Sequence, residues 1–358
     1  VKGVDALVIG AGVVGLSAAA ELAGRGATVA VVDRSAPGGA GSRAAAGVAI
    51  PSLRLLSDPE LYDFVQVGAR RLNESVTGED VCRGSGVVRP AWAKEERAEL
   101  DELASQHPDA LGEWLSGDEL ADLEPLLVDS GALGGYLVPA GYTVDAGRYL
   151  DVLLGRCRSL GIDVTLGAEV AVSGENGDAL IVRSDTREWH ALQVVVAAGA
   201  WSGSLPGLPP LPVYPLRGQM IRLAGVSTTR IISGRTYLCP SGDDGVAVGA
   251  TEERAGFTDT VTVAGLAFLL GRVATRFPRL RSAAVSRTWS GLRSASPDGR
   301  PLIGRYPGTT RVLVGAGHSG QGILTGAYTG YLLAELADGR DIDLPSVLRS
   351  ERLLASAP

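Results

Sequence analysis

The tightest constraint on the fold lies in residues 4 to 33, VDALVIGAGVVGLSAAAELAGRGATVAVVD. An apolar run, Ala6 to Ile9, leads into Gly10-x-Gly12-x-x-Gly15. An alanine- and leucine-rich segment follows, then Thr28 to Val32, ending on Asp33. Strand, tight turn, helix and strand thus succeed one another as one βαβ unit. Gly10 permits the turn. Gly12 removes a side chain where a pyrophosphate must approach, and Gly15 lets helix and strand pack closely. The helix start at Val13 and Val14 offers unpaired N–H groups and partial positive charge to an anion. Asp33 is placed to accept hydrogen bonds from ribose hydroxyls, and an acid there disfavours the 2′-phosphate of NADP. A glycine turn by itself also suits a purely structural βαβ unit; strand, helix and acid in sequence favour a dinucleotide.

The rest of the chain bounds what accompanies that unit. At 358 residues it is long enough for about two domains. A hydrophobic content of 45% with 20% charged residues describes a globular protein with a large core. The net charge of −7 comes with scattered basic residues, which argues against nucleic acid and anionic membrane as partners. Cys82, Cys157 and Cys239 form no CxxC pair, so neither a disulfide framework nor a zinc site is expected. Asp5 and the early glycines interrupt any signal-peptide core, and no window approaches the roughly 18 apolar residues of a membrane span. The expectation is a soluble cytoplasmic protein without metal.

Two apolar runs, ALQVVVAAG from 191 and RVLVGAG from 311, are the continuous kind found in parallel sheets. Between them, VYPLRGQMIRL, TRIISGRTYLCP and GVAVGAT alternate as antiparallel strands do. A helix is expected to open at Asp145 as N-cap, another near 261 to 277, and helical spacing runs over 58–74 and 95–124. The segment PGGAGSRAAAGVAIPS, 37 to 52, is too glycine-rich for a helix and too apolar for a solvated linker. It either runs beside a ligand or forms a tight internal loop. GAGHSGQGILTG, 315 to 326, is a glycine-rich entry into a helix that serves a phosphate, a substrate or close packing. The fold class is α/β: a Rossmann-like nucleotide domain interrupted by an α+β domain with a mainly antiparallel sheet.

Five blocks taken in order carry a resemblance. They are the βαβ unit above, SRAAAGVAIP, VVVAAGAWS, RTYLCP followed by GVAVGAT, and GLRSASPDGRPLIGRYP followed by VLVGAGHSGQGILTGAYTG. With them the chain resembles the D-amino acid oxidase superfamily of FAD-dependent amine oxidoreductases, most of all its glycine oxidases. Only residues 55 to 130 match no motif. The resemblance implies non-covalent FAD, an FAD-binding domain at 1–82, 143–205 and 286–358, and a substrate-binding domain at 83–142 and 206–285. It places cofactor contacts at Gly10, Gly12, Val13, Val14, Gly15, Asp33 and Arg34, and along Ser42, Arg43, Ala44, Ala45, Ala46 and Gly47. Others fall at Val170, Ala198, Gly199, Trp201, Arg293 and, facing the flavin pyrimidine, Gly317, His318, Ser319, Gly320, Gln321, Gly322 and Ile323.

The family's carboxylate-binding arginine corresponds to Arg293 in GLRSASPDG, and its tyrosine to Tyr237 in RTYLCP. An arginine fork suits a planar carboxylate better than a lysine does. Two departures from the glycine oxidase pattern stand out. Gly320 occupies an arginine position and Arg235 a histidine position. Both bear on the substrate pocket, as does His318 as a candidate base. The implied reaction is hydride transfer from Cα of an amino acid or amine to flavin N5, hydrolysis of the imino acid, and reoxidation by dioxygen to hydrogen peroxide. A same-fold dehydrogenase with another acceptor, a non-catalytic flavoprotein subunit, and an N-methyl or cyclic imino acid oxidase are the alternatives. Oligomerisation stays open.

Overall fold

The computed structural model describes residues 3–340, 342 and 344–353. Strand β1 (Val4–Ile9), helix α1 (Val13–Gly24) and strand β2 (Val29–Asp33) form the βαβ unit in the expected order. β1 lies at the centre of an eight-stranded sheet. On one side it pairs in parallel with β2, which pairs in parallel with Asp163–Leu166. On the other it pairs in parallel with Glu188–Val196, then Val312–Ala316, with Leu302–Arg305 antiparallel at the edge. A hairpin, Ala171–Asn176 and Ala179–Arg183, pairs onto Glu188–Val196. Both faces of the central strands are covered, as their unbroken apolar sequences require: Val8 and Val195 join one core, Leu7 and Val194 the other.

On the first face α1 packs against the helix Gly322–Ala337, and the contact needs glycine. A Cβ on Gly326 would sit 2.7 Å from Val13, and one on Gly330 2.6 Å from the backbone N of Ala18. The helix Ala146–Ser159 closes this layer and is capped by Asp145, whose carboxylate accepts from the Arg148 N–H at 3.0 Å.

The second sheet also has eight strands, ordered Ala284–Ala295, Tyr214–Ala224, Gly245–Gly249, Tyr237–Pro240, Ile231–Ile232, Val87–Ala91, Gly134–Val138 and Glu113–Ser116. Its pairings are antiparallel except for Ile231–Ile232 beside Val87–Ala91. The helix Val263–Arg276 packs on its outer face through Leu269 and Val273. The strand Ala284–Ala295, which the expected boundary at 286 would cut, pairs with Tyr214–Ala224 along its length. Its inner face docks on the loop from 37 to 52: the Leu292 N–H donates to the Ala40 carbonyl and the Trp289 indole N–H to the Ala44 carbonyl.

The stretch 95–124 departs from continuous helical spacing. Helix Lys94–Gln106 gives way at Pro108, which cannot continue it, and edge strand Glu113–Ser116 follows before helix Gly117–Leu123. Gly112 makes the junction at φ +74°, with its Cα so close to strand Gly134–Val138 that a Cβ would meet the Leu137 carbonyl at 2.1 Å.

Candidate active site

A cavity of about 1430 Å³ lies between the two sheets. That exceeds the roughly 300–1,000 Å³ of a pocket for one small ligand. It runs from the carboxyl ends of β1 and β2, where nucleotides bind in open α/β sheets, to the inner face of the second sheet.

The first end is made of backbone. Gly10, at φ +115°, lies so near the strand Glu188–Val196 that a Cβ would meet the Ala197 carbonyl at 2.2 Å; one on Gly15 would meet the Gly10 carbonyl at 1.9 Å. Gly12 is different, since its Cβ would touch only the Ser42 hydroxyl, at 3.2 Å. It is the N-cap of α1 with no side-chain cap, leaving the helix start open to an anion. The Val13 N–H meets the Ser42 hydroxyl at 3.2 Å. Asp33 accepts from the Ala11 N–H at 2.6 Å and from the Ser35 N–H at 2.8 Å, which fixes the carboxylate at the cavity wall. Arg34, paired with Glu169 at 2.8 Å, lies 4.8 Å over the Trp201 ring at the rim.

Along the middle run Ala44, Ala45, Ala46 and Gly47 on one side, with Val170, Ala198 and Gly199 beyond. Of the residues expected here, the Arg43 side chain is turned away. Its Nε donates to the Pro37 carbonyl at 3.1 Å and it pairs with Asp151 at 2.8 Å. Gly15 and Gly317 do not line the cavity either. Gly317 shapes the loop, at φ +78° with a Cβ position 2.9 Å from Leu302. Ser319, Gly320, Gln321, Gly322 and Ile323 do line it, and the helix from Gly322 begins there without a side-chain cap. The glycines of GAGHSGQG therefore divide in use. Gly315 and Gly317 are fixed by packing and turn, whereas a Cβ on Gly320 would meet nothing within 4 Å.

His318 also borders the cavity but is 6% exposed, and its Nε2 lies 2.9 Å from the Thr329 hydroxyl. Burial pulls its pKa down to about 4, so the ring is neutral near pH 7. The arrangement describes a ring tied to the helix behind it rather than a base held toward the cavity.

At the far end the second sheet contributes side chains. Arg293 stacks on Gly218, where a Cβ would lie 2.6 Å from the guanidinium, and donates to the Thr251 carbonyl at 3.1 Å. Among the described residues no carboxylate pairs with it, so most of its five N–H donors are free. Tyr237 stands over Gly249 in the same way, with a Cβ position 2.6 Å from its hydroxyl. Among the described residues that hydroxyl has only the Met220 sulfur, at 3.8 Å, and burial pushes its pKa up while nearby Arg293 opposes the shift. Arg235 is exposed at the rim.

Sequence reasoning missed Arg89, Ser233 and Arg54 on this wall, and the glycines beneath Arg293 and Tyr237. A usable signal existed for Arg89, a lone charge in the apolar strand VVRPA, and for Gly218, a lone glycine inside a strand. Among the described residues no cluster of three or more His, Cys, Asp or Glu could hold a metal ion, and no helix is long and apolar enough to cross a membrane.

Fold and cavity together define an α/β protein of dinucleotide-binding type, in which the cavity runs from the glycine turn of the βαβ unit to a second, mainly antiparallel sheet. The chain belongs to the FAD dependent oxidoreductase (DAO) family, whose profile matches residues 5–336. It is 29% identical to the glycine oxidase of Bacillus licheniformis over 354 residues, 95% of each chain. The glycine oxidase structure from Geobacillus kaustophilus superposes with a TM-score of 0.86 at 25% identity, covering 98% of this chain and 99% of that one. The iminodiacetate oxidase from Chelativorans sp. BNC1 gives 0.84 at 28% identity, covering 96% and 98%. The protein is an FAD-dependent oxidoreductase, similar to glycine oxidases. The uncapped start of α1, bare Gly12 and the Asp33 carboxylate fit the cofactor's pyrophosphate and ribose.

Proposed function

We propose that the protein oxidises the C–N bond of a small amino acid or secondary amine to the imino acid, with dioxygen as final acceptor and hydrogen peroxide as product. The observation that carries this reading is the pair Arg293 and Tyr237, polar groups with unused hydrogen-bonding capacity on the cavity face of the second sheet. Arg293 binds a carboxylate through two parallel N–H bonds, and the Tyr237 hydroxyl donates a third. Gly218 and Gly249 keep both side chains in place by leaving room only on the sheet side. When bound, FAD supplies the hydride acceptor. The protein's part is to hold the substrate so that Cα faces the acceptor, a proximity effect. With His318 neutral and tied to Thr329, no side chain here is assigned to take the amine proton; the substrate enters as the neutral amine.

Anaerobic mixing of the flavin-loaded protein with glycine, sarcosine, D- and L-amino acids and cyclic imino acids tests the proposal. Bleaching of the flavin absorbance by one class establishes amine oxidation, and admitting air separates an oxidase from a dehydrogenase using another acceptor. A yellow protein that no amine bleaches would sink the reading in favour of a non-catalytic flavoprotein subunit.

A further inference from the structure

Arg89 is a buried charged side chain of the cavity wall that the reading above does not use. It is 5% exposed, at the middle of the strand Val87–Ala91, and it lines the cavity. Among the described residues its Nε has no hydrogen-bond partner, and its one bond is a long one, Nη1 to the Ser233 hydroxyl at 3.3 Å. Among the described residues no carboxylate reaches it. Tyr62 is the one titratable neighbour that favours its charge, and burial pulls its pKa down to about 10, still charged at pH 7. A buried cation without an anion is costly, so one that persists beside a cavity marks the place of an anion that arrives from outside.

Register fixes where that anion would lie. Val88 pairs with Ile232, and Ile232 with Leu238. One residue further along, Arg89, Ser233 and Tyr237 stand abreast on three adjacent strands. Arg89 shares its face with Val87, which packs in the same cluster as Met220 and Tyr237 on the cavity side. Two strand spacings, roughly 10 Å, separate the backbones of Arg89 and Tyr237. The two side chains converge on the same chamber from either end of that gap. Arg54 and Arg235, exposed at its rim and without a carboxylate partner among the described residues, add positive charge at the entrance.

We propose that Arg89 is a specificity-determining residue which binds a second carboxylate of the substrate, so that this enzyme prefers amines flanked by two carboxylates. Arg293 and Tyr237 take the carboxylate next to the reacting carbon, and Arg89 the distal one. The second carboxylate sits either on the side chain, as in an acidic amino acid, or on the nitrogen substituent, as in an iminodicarboxylate. The inference rests on the amine-oxidation reading for its reaction but not for its anion site.

The test compares kcat/KM of the flavin-loaded enzyme for glycine and sarcosine with those for iminodiacetate, aspartate and glutamate of both hands. The parent should prefer one of the dicarboxylates, and which one tells side chain from nitrogen substituent. In Arg89→Met the ratio of dicarboxylate to monocarboxylate kcat/KM should fall about 100-fold, the scale of removing one partner of a buried ion pair. Arg89→Lys should recover part of that ratio. Calorimetry with succinate and glutarate, which carry no amine, against propionate gives a second readout on the parent alone, should Arg89→Met fail to fold. Dicarboxylates should bind the parent more tightly, and the difference should vanish in Arg89→Met. A ratio unchanged by Arg89→Met, or a parent that binds succinate and glutarate no better than propionate, overturns the proposal. Bleaching by glycine or sarcosine with no dicarboxylate bound or oxidised would also overturn it, while leaving amine oxidation standing. Dicarboxylate binding that depends on Arg89 without bleaching by any amine would support the anion site and sink the oxidation reading.

Discussion

The two ends of the cavity are built on opposite principles. At the end next to the βαβ unit the chain presents backbone: Gly10 and Gly12 with Gly15 packed behind them, a helix start whose N-cap has no side chain, and one carboxylate held by two N–H groups. At the substrate end it presents side chains, Arg293, Tyr237 and Arg89, from three different strands of the second sheet. At the first, Gly10 and Gly15 leave no room for a side chain because the atoms a Cβ would meet are backbone and cannot repack. In the reading proposed above, the selectivity of the second would rest on those three polar side chains.

The sharpest way to break that contrast is to disturb the backbone end. Gly10→Ala puts a Cβ 2.2 Å from a backbone carbonyl at a φ of +115°, so both strain and clash act, with nothing flexible to yield. Loss of soluble folded protein, or of bound flavin together with a large drop in Tm, is the expected result. Gly12→Ala is the control, since its Cβ meets only the end of the Ser42 side chain. That variant should fold with a Tm near the parent's and hold less flavin, measured by the ratio of visible to ultraviolet absorbance. Equal damage from both would mean that Gly12 is there for packing, not for a ligand.

At the other end, Arg293→Ala should keep yellow, folded protein and lower kcat/KM by about a thousandfold, the scale of losing a bidentate charged contact of some 4 kcal/mol. Unchanged kinetics would remove Arg293 from the site.

His318 lies at the join of the two ends, and its burial makes a prediction about stability. Its pKa is pulled from 6.5 to about 4 in the folded protein. The unfolded chain therefore binds the proton first, and the stability due to the neutral ring, full above pH 6.5, is lost as pH falls from there toward 4. At pH 5 the loss is about 2 kcal/mol. Parent Tm should fall more between pH 7 and pH 5 than that of His318→Gln, compared by circular dichroism in matched buffers. Parallel curves would show that the ring takes its proton in the fold.

How much of this could be read from the sequence follows the same division. The βαβ unit was legible because everything it needs lies within thirty residues, and strand pairing reproduced it without adjustment. Arg293 and Tyr237 were reached only through a resemblance, since no spacing says that positions 293 and 237 meet across a sheet. A loop motif does not say which way each side chain turns, and here Asp151 and the Pro37 carbonyl draw the Arg43 side chain outward. Arg89 lies in the stretch without a motif, where a lone arginine in the apolar strand VVRPA is a signal whose weight depends on its burial, which sequence does not give. Strand Glu113–Ser116 lies within helical spacing, and Pro108 and Gly112 are the residues that break the helix before it.

The smallest expected effect is the most discriminating for the substrate end. Tyr237→Phe removes a hydroxyl whose one protein partner is a thioether at 3.8 Å, too weak to stabilise the fold. Its Tm should therefore stay close to the parent's. In the proposed complex, the hydroxyl of this half-buried wall residue would donate to the carboxylate that Arg293 binds. Losing one such bond to a charged acceptor is worth about 1.5–3 kcal/mol, or about a 10- to 100-fold fall in kcat/KM. If the bond is made equally in ground and transition states, the fall appears in KM with kcat unchanged, and Tyr237 is a binding group. If kcat carries it, the hydroxyl sets the angle at which Cα is presented. A variant with parental kinetics would reduce Tyr237 to a wall residue and leave the carboxylate to Arg293 alone.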